Sequence, residues 1–131
     1  MTGRPFSKRI VTGILKETLA FDGVVFTDDL GMKAVSATTP LSEAAVLAVA
    51  AGCDVTLLCN STTDEQVGAI EALIRAAESG VIAQTRLDDA FRRQHRAKAR
   101  WLRPVTAARR SLDVVGCAAH QIVAREMAAW Q

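Results

Sequence analysis

Apolar and polar positions in the first half of the chain predict a strand–helix–strand unit. Val24, Val25 and Phe26 form a short continuous apolar run after a turn signal, as is typical of a parallel strand buried on both faces. Residues 55–59, Val-Thr-Leu-Leu-Cys, are predicted to form the second strand. Between them, residues 41–51 are apolar on almost every side, which predicts a deeply buried helix. We therefore expect two parallel strands joined by a right-handed crossover.

The flanking segments predict four further helices. In the helix stopped by Gly80, the expected apolar stripe consists of Val67, Ile70, Leu73, Ile74 and Ala77. The first predicted helix covers residues 8–19 and follows Ser7 as its cap, and the last covers residues 117–130. The helix stopped by Gly80 is opened by a capping box, either Thr62 with Glu65 or Thr63 with Gln66. A basic helix follows it and is opened by Thr85 with Asp88.

Composition and charge narrow the class of protein. Half of the 131 residues are apolar and 23% are charged, which is typical of one soluble globular domain. The net charge of +2 favours neither a nucleic-acid partner nor a membrane surface. Cys53, Cys59 and Cys117 lack metal-site spacing, and two of them sit in apolar runs where cysteine is usually buried. With no signal-like start and no membrane span, we expect a cytoplasmic protein.

A motif around the first strand carries a family resemblance. Residues 19–32 read Leu-Ala-Phe-Asp-Gly-Val-Val-Phe-Thr-Asp-Asp-Leu-Gly-Met, which resembles the hallmark of glycoside hydrolase family 3 β-N-acetylhexosaminidases. The Ala-Gly-Cys-Asp-Val-Thr-Leu-Leu-Cys-Asn of residues 51–60 resembles the family's next strand. The Arg-Leu-Asp-Asp-Ala of residues 86–90 resembles its closing segment. The similarity covers about residues 5–103.

The resemblance implies an α/β fold, namely the C-terminal portion of a (β/α)8 TIM-type barrel. The two strands would be the seventh and eighth, so that residues 1–103 form a partial catalytic barrel and residues 104–131 a linker and C-terminal helix. A closed barrel needs eight strands and typically about 250 residues. Association with a missing N-terminal part is therefore a possible partner interaction.

The resemblance also places Asp28 at the position of the catalytic nucleophile. A retaining glycosidase uses one carboxylate to attack the anomeric carbon and a second group to protonate the leaving oxygen. An isolated aspartate at a strand end more often caps a turn, but the surrounding motif favours catalysis. In the family that the motif resembles, the acid/base is a histidine on a loop well upstream of this segment. His95 and His120 both fall in helical patterns far from a strand end, so we expect neither to be the acid. The implied substrate is an N-acetylglucosamine-containing glycoside, and the chemistry requires no cofactor or metal.

Three neighbouring residues are secondary candidates. Asp29 should point away from Asp28 on an extended segment, so we assign it a supporting role, with a solvated or salt-bridged carboxylate as the alternative. Met32 corresponds to an apolar flank of the family's sugar pocket, although core packing is the commoner role of methionine. Asn60 follows the second strand and could contact substrate or form a turn.

Two other classes of function remain as alternatives. The Asp28–Asp29 pair could hold Mg²⁺ in a non-catalytic module similar to a receiver domain, although such a domain should show about five strand–helix units. Residues 86–103 hold seven basic residues and His95, which could contact phosphates. No base-reading motif accompanies them, so a solvated helix face is the preferred interpretation. We expect neither nucleic acid nor membrane as a partner.

Overall fold

The computed structural model describes residues 6–102 and 115–130, and it confirms an α/β fold. Helices predominate, and the two described strands form one sheet. The elements in chain order are a π-helix (Arg9–Thr18), β1 (Phe26–Asp29), α1 (Lys33–Ser36), α2 (Leu41–Ala51), β2 (Val55–Leu57), α3 (Thr63–Glu78), α4 (Gln84–Trp101) and α5 (Ala118–Ala128).

β1 and β2 are parallel, as predicted, but β1 does not end where the apolar run ends. It begins at Phe26 and continues through Thr27 and Asp28 to Asp29. The polar residues stay in the strand because side-chain oxygens of Thr27 and Asp29 accept hydrogen bonds from the β2 segment. The apolar run therefore located the strand within a few residues and missed its polar second half.

The strands are not buried on both faces, contrary to the prediction. Phe26 remains 59% exposed, and all three residues of β2 are only half-buried. A strand is covered on both sides only when further strands and helices surround it. In the described ranges the sheet has two strands, so one side of β1 lies open.

The core lies where α2 packs between the sheet and α3. Ala44, Ala45 and Ala48 have no exposed surface, which confirms that α2 is the deeply buried helix. Alanine at these positions lets the neighbouring elements approach closely. Gly52 ends α2 with φ of 119°, a left-handed conformation that glycine adopts without strain.

The helix between residues 8 and 19 is present but wound differently from expectation. The amide of Leu19 donates to the carbonyl of Ile14, five residues earlier, as in a π-helix. Its first residue follows Lys8, and no side chain caps it, so the predicted Ser7 side-chain cap is wrong. The carbonyl of Ser7 instead accepts from the amides of Ile10 and Val11.

The predicted apolar stripe of α3 is only partly buried. On α3 the buried residues are Ala69 and Ala76, with Leu73 half-buried between them. Small residues face the core because α2 packs tightly there. Three larger members of the stripe are exposed: Val67, Ile70 and Ile74.

Helix starts were predicted unevenly. Thr62 caps α3, and Glu65 returns a bond to the Thr62 amide, which settles the choice between two candidate boxes. α4 begins two residues earlier than expected, after Ala83 instead of Thr85, without a side-chain cap. Its Asp88 accepts from Gln84 instead of forming a box with Thr85.

The last helix is exposed throughout, and the three cysteines differ in exposure. α5 confirms the helix predicted after Cys117, and all its residues are exposed. Cys53 is buried, whereas Cys59 is exposed because it follows β2 at the open strand end. Of residues 104–131, predicted as a linker and C-terminal helix, residues 104–114 and 131 lie outside the described residues. No described helix combines the length and apolar character needed to cross a membrane.

Candidate active site

The carboxyl ends of β1 and β2 are joined by side chains as well as by backbone. Phe26 pairs with Val55, and Asp29 pairs with Leu57. Between these two pairs β1 advances by three residues, whereas β2 advances by only two. The pairing is therefore shifted by one residue, as in a β-bulge, a feature common beside active sites, and we refer to this irregularity as the bulge. The Thr27 hydroxyl accepts from the Leu57 amide at 2.9 Å, and the Leu57 carbonyl accepts from the Leu30 amide at 2.9 Å.

Asp29 is held by donors from two segments. Its Oδ1 accepts from the amides of Cys59, at 2.9 Å, and Gly31, at 3.0 Å. Its Oδ2 accepts from the Asn60 side-chain amide at 3.3 Å. The two backbone amides, followed by the Asn60 side chain, lower the pKa of Asp29 below its ordinary value of 3.8. Asp29 is therefore an ionised carboxylate that fastens the β2 loop to the end of β1.

Asp28 is in a different environment on the same strand. The exposed and half-buried residues of β1 alternate, with Phe26 and Asp28 exposed and Thr27 and Asp29 half-buried. In the described chain, the Asp28 carboxylate accepts one hydrogen bond, from the Asp29 amide to Oδ1 at 2.8 Å. The second oxygen of Asp28 therefore remains available to another molecule.

Met32 lies next to Asp28, but Asn60 does not share its cavity. Met32 is 38% exposed and lines a largely apolar cavity of about 220 Å³ together with Phe6, Val11 and Asp28. Asn60 lines a separate cavity of about 480 Å³, and its amide is bonded to Asp29. The structure thus brings Asp28, Asp29 and Met32 together at one cavity, while Asn60 contacts Asp29 from the other.

A second charged cluster, which the sequence reasoning did not single out, occupies the amino ends of the strands. The Asp54 side chain is fully buried, and its Oδ1 contacts Lys16 Nζ at 2.8 Å and the Arg86 guanidinium. Its Oδ2 accepts from the Val25 amide at 2.9 Å, directly before β1. The one available sequence signal was a carboxylate, Asp54, inside an otherwise apolar run.

Asp89 extends this cluster along α4. Arg93 Nε donates to both oxygens of Asp89, and Arg86 contacts Asp89 at 2.7 Å. Burial would raise the pKa of Asp89, but the bond from Arg93 and the charges of Arg93, Arg86 and Lys16 outweigh burial and lower it. Arg93 also donates to the carbonyl of Gly23 at 2.9 Å, which ties α4 to the turn before β1.

The basic face of α4 is largely used inside the molecule. Arg86 and Arg93 pair with the buried cluster, and Arg96 pairs with Asp22 at 2.7 Å. These contacts leave fewer cations for phosphate groups than the sequence count suggested. His95 stacks on Phe91 in α4, and His120 belongs to α5, so both histidines are helical, as expected.

The Mg²⁺ alternative finds little support in the acidic pair. All hydrogen bonds to Asp29 come from neutral amides that already occupy both oxygens. Across residues 6–102 and 115–130, no cluster of three or more histidine, cysteine, aspartate or glutamate side chains could hold a metal ion.

Comparison with known proteins decides the family. Residues 2–97 match the model of the glycosyl hydrolase family 3 N terminal domain. The chain belongs to glycosyl hydrolase family 3. A β-hexosaminidase from Pseudomonas aeruginosa is 32% identical over 106 residues, covering 79% of this chain, and one from Bordetella parapertussis is 49% identical over 55 residues, covering 42% of it.

Solved structures of family 3 agree with that assignment. The family 3 β-N-acetylglucosaminidase from Paenibacillus sp. str. FPU-7 matches 91% of this chain with a TM-score of 0.71 and 34% identity. The chain spans only part of these proteins: 32% of the Pseudomonas protein, 16% of the Bordetella protein and 23% of the Paenibacillus chain.

Proposed function

We propose that this chain contributes the nucleophile, Asp28, to a retaining β-N-acetylhexosaminidase. The observation that carries the proposal is the difference between two adjacent carboxylates at the end of β1. Asp29 has both oxygens bonded to amides, whereas Asp28 is exposed and accepts a single bond from the part of the chain that the structure describes. An attacking carboxylate needs an oxygen free to reach the substrate, and among this pair only Asp28 has one.

The proposed reaction follows the two-step course of retaining glycosidases. An Asp28 oxygen attacks the anomeric carbon of a terminal N-acetylglucosamine, and the bond to the leaving oxygen breaks as that oxygen takes a proton from an acid. Water then attacks the glycosyl-aspartate, gives its proton to the same group acting as base, and restores Asp28. We assign the acid/base role to no residue of this chain, because His95 and His120 lie on helices. No metal or organic cofactor takes part.

The family membership and the open surfaces support a place at the C-terminal end of a (β/α)8 barrel. In this arrangement β1 and β2 are the seventh and eighth strands, and residues 1–103 are part of the catalytic domain. Phe26 and Ile70 are exposed, and Leu58, Ile70 and Leu73 line an apolar cavity of about 280 Å³. Apolar surfaces of this kind suit contact with the remaining strand–helix units of a barrel.

Two further features of the proposed protein follow from the same family. The substrate class is N-acetylglucosamine-containing glycosides, in line with the name of the Paenibacillus β-N-acetylglucosaminidase. We place the protein in the cytoplasm, where its three free cysteines would stay reduced.

A covalent-trapping experiment tests the nucleophile. The chain is incubated with an N-acetylglucosaminyl fluoride, whose leaving group departs without protonation, and examined by intact mass and peptide mapping. We expect the mass of one glycosyl group on Asp28, which accumulates because the base for the second step is missing. Asp28→Asn should abolish labelling. Asp29→Asn, the same chemical change one residue away, should retain it.

Three outcomes would contradict different parts of the proposal. Label on another residue, or labelling that survives Asp28→Asn, would remove Asp28 from the role of nucleophile. Turnover without any aspartyl adduct would indicate attack by the substrate's own acetamido group instead. Hydrolysis of a chromogenic N-acetylglucosaminide at an ordinary enzymatic rate would show that the chain contains its own acid/base residue.

A further inference from the structure

The bulge in β1 raises the question of what keeps the surplus residue in place. In a regular parallel pair, each residue along β1 would be matched by one residue along β2. Here an advance of three residues, from Phe26 to Asp29, is matched by an advance of two, from Val55 to Leu57. A shift of register by one residue moves every side chain to the opposite face of a strand. Relaxation of the bulge would therefore exchange the environments of Asp28 and its neighbours.

Two side chains of β1 do the work of backbone acceptors at this point. Thr27 Oγ1 accepts from the Leu57 amide at 2.9 Å, and Asp29 Oδ1 accepts from the Cys59 amide at 2.9 Å. Residues two apart on β1 thus bond to amides two apart on the β2 segment. Asp28 lies between them, and its side chain is on the exposed face of the strand. Both flanks of Asp28 are fastened while its carboxylate remains outside the ladder.

We propose that Thr27 is a positioning residue, whose hydroxyl fixes the bulged register that presents Asp28 to the substrate. The inference rests on the proposed function, since it assumes that Asp28 attacks the anomeric carbon. The relevant group is the hydroxyl oxygen of Thr27. It accepts the hydrogen bond of the Leu57 amide in place of a backbone carbonyl. A nucleophile held to within a fraction of an ångström reacts far faster than one that samples two registers.

Two substitutions separate the hydroxyl of Thr27 from its methyl group. Thr27→Val keeps the branched shape and removes the acceptor, whereas Thr27→Ser keeps the acceptor and removes the methyl group. Each variant is labelled with the N-acetylglucosaminyl fluoride over a range of concentrations, which separates the limiting labelling rate from the half-saturating concentration. Hydrogen exchange of the Leu57 amide is measured on the same proteins.

We expect Thr27→Val to lower the limiting labelling rate by about 100-fold, with little change in half-saturation, and to accelerate exchange at Leu57. Thr27→Ser should label close to the original rate with Leu57 still protected. Slow labelling by Thr27→Ser with Leu57 protected would assign the effect to methyl packing and overturn the proposal, even if Thr27→Val failed to fold. Unchanged labelling in a folded Thr27→Val would overturn it as well.

The same experiment distinguishes failure of the inference from failure of the proposed function. If the original chain labels at Asp28 and Thr27→Val labels equally fast, the nucleophile stands and the positioning role falls. If the original chain carries no label, the proposed function of the chain fails and the positioning role fails with it. The exchange of Leu57 then shows whether Thr27 still serves as a purely structural acceptor.

Discussion

At the amino ends of β1 and β2 the charged groups face one another, whereas at the carboxyl ends they face amides and open space. Asp54 is fully buried against Lys16 and Arg86. Asp28, on the same two-stranded sheet, is exposed and accepts one bond from its neighbour's amide. Both ends contain carboxylates, but only the carboxyl end leaves one of them free to react.

This difference separates a structural carboxylate from a candidate catalytic one. Asp54 has both oxygens bonded and links three segments: the helix of residues 9–18, the start of β1, and α4. Removal of one member of such a buried group leaves the other members as charges without partners. The resulting loss of stability is far larger than the net stabilisation that the intact ion pair provides. In parallel barrels, residues at the amino ends of strands typically serve stability and those at the carboxyl ends serve chemistry.

The largest effect we expect comes from the same substitution made at the two ends. Asp54→Asn should lower the free energy of unfolding by about 3–5 kcal/mol, because Lys16 and Arg86 would lose their buried counter-charge. Asp28→Asn should change it by less than about 0.5 kcal/mol, as for other exposed positions. Urea unfolding of both variants beside the original chain measures the difference.

This pair of variants can break the comparison directly. Equal losses of stability for the two substitutions would mean that Asp28 also carries structural contacts. A stable Asp54→Asn would mean that the amino-end cluster contributes no more than a solvated ion pair, for which less than about 1 kcal/mol is typical.

A smaller loss is expected at Gly52, which joins α2 to the amino end of β2. Its φ of 119° is strained for any other residue, and an added Cβ would lie 2.5 Å from Thr12 Oγ1. Gly52→Ala should therefore lower stability by about 3 kcal/mol, from strain together with the clash. Gly80→Ala, with φ of 75° and open space around the Cβ, should cost about 1 kcal/mol from strain alone.

Thermal or urea unfolding of the two glycine variants measures how rigid the amino end is. Equal losses would show that the chain near Thr12 moves aside without cost, and the amino end would then be softer than its contacts indicate.

Much of the fold follows from local pattern. The apolar character of residues 41–51 predicted the buried α2, and the capping residues at Thr62 and Glu65 predicted the start of α3. The parallel pairing followed from a strand–helix–strand order. These features depend on neighbours in sequence, which a pattern records.

The missed features depend on partners that are distant in sequence. The polar half of β1 is a strand because Thr27 and Asp29 bond to residues 30 positions later. Asp54 became a buried hub through Lys16 and Arg86, which lie 38 and 32 positions away. The exposure of Phe26 and Ile70 could not be predicted from periodicity, because burial requires a covering element as well as an apolar residue.

The site itself divides in the same way. The motif drew attention to Asp28, Asp29 and Met32, and the structure sets Asp28 beside Met32 at the end of β1. The bond from Asn60 to Asp29 follows from the three-dimensional proximity of two strand ends, which no local pattern encodes. The catalytic roles of these residues remain predictions.

The smallest effect we expect concerns pH and salt at Asp29. Its pKa lies below the ordinary 3.8 because the amides of Cys59 and Gly31 and the side chain of Asn60 favour the ionised form. As pH falls, Asp29 is therefore protonated in the unfolded chain before it is protonated in the folded chain. The stabilisation by its ionised form is fully present above pH 3.8 and is lost as pH falls through the lower pKa of the folded chain. Asp29→Asn should therefore be less stable than the original chain near neutral pH, and this difference should shrink in acid.

Salt sharpens the contrast with the amino end. The donors to Asp29 are uncharged amides, so added salt should leave its contribution nearly unchanged, whereas the cations around Asp89 should be screened. Urea unfolding of Asp29→Asn and Asp89→Asn at several pH values, in low and high salt, makes the comparison. A pH-independent loss for Asp29→Asn would show that the ionised form of Asp29 is not what stabilises the strand end. Equal sensitivity of both variants to salt would show that Asp29 acts through long-range charge rather than through the amides of the β2 loop. The two ends of the strand pair would then hold their carboxylates by the same force, and exposure alone would set Asp28 apart.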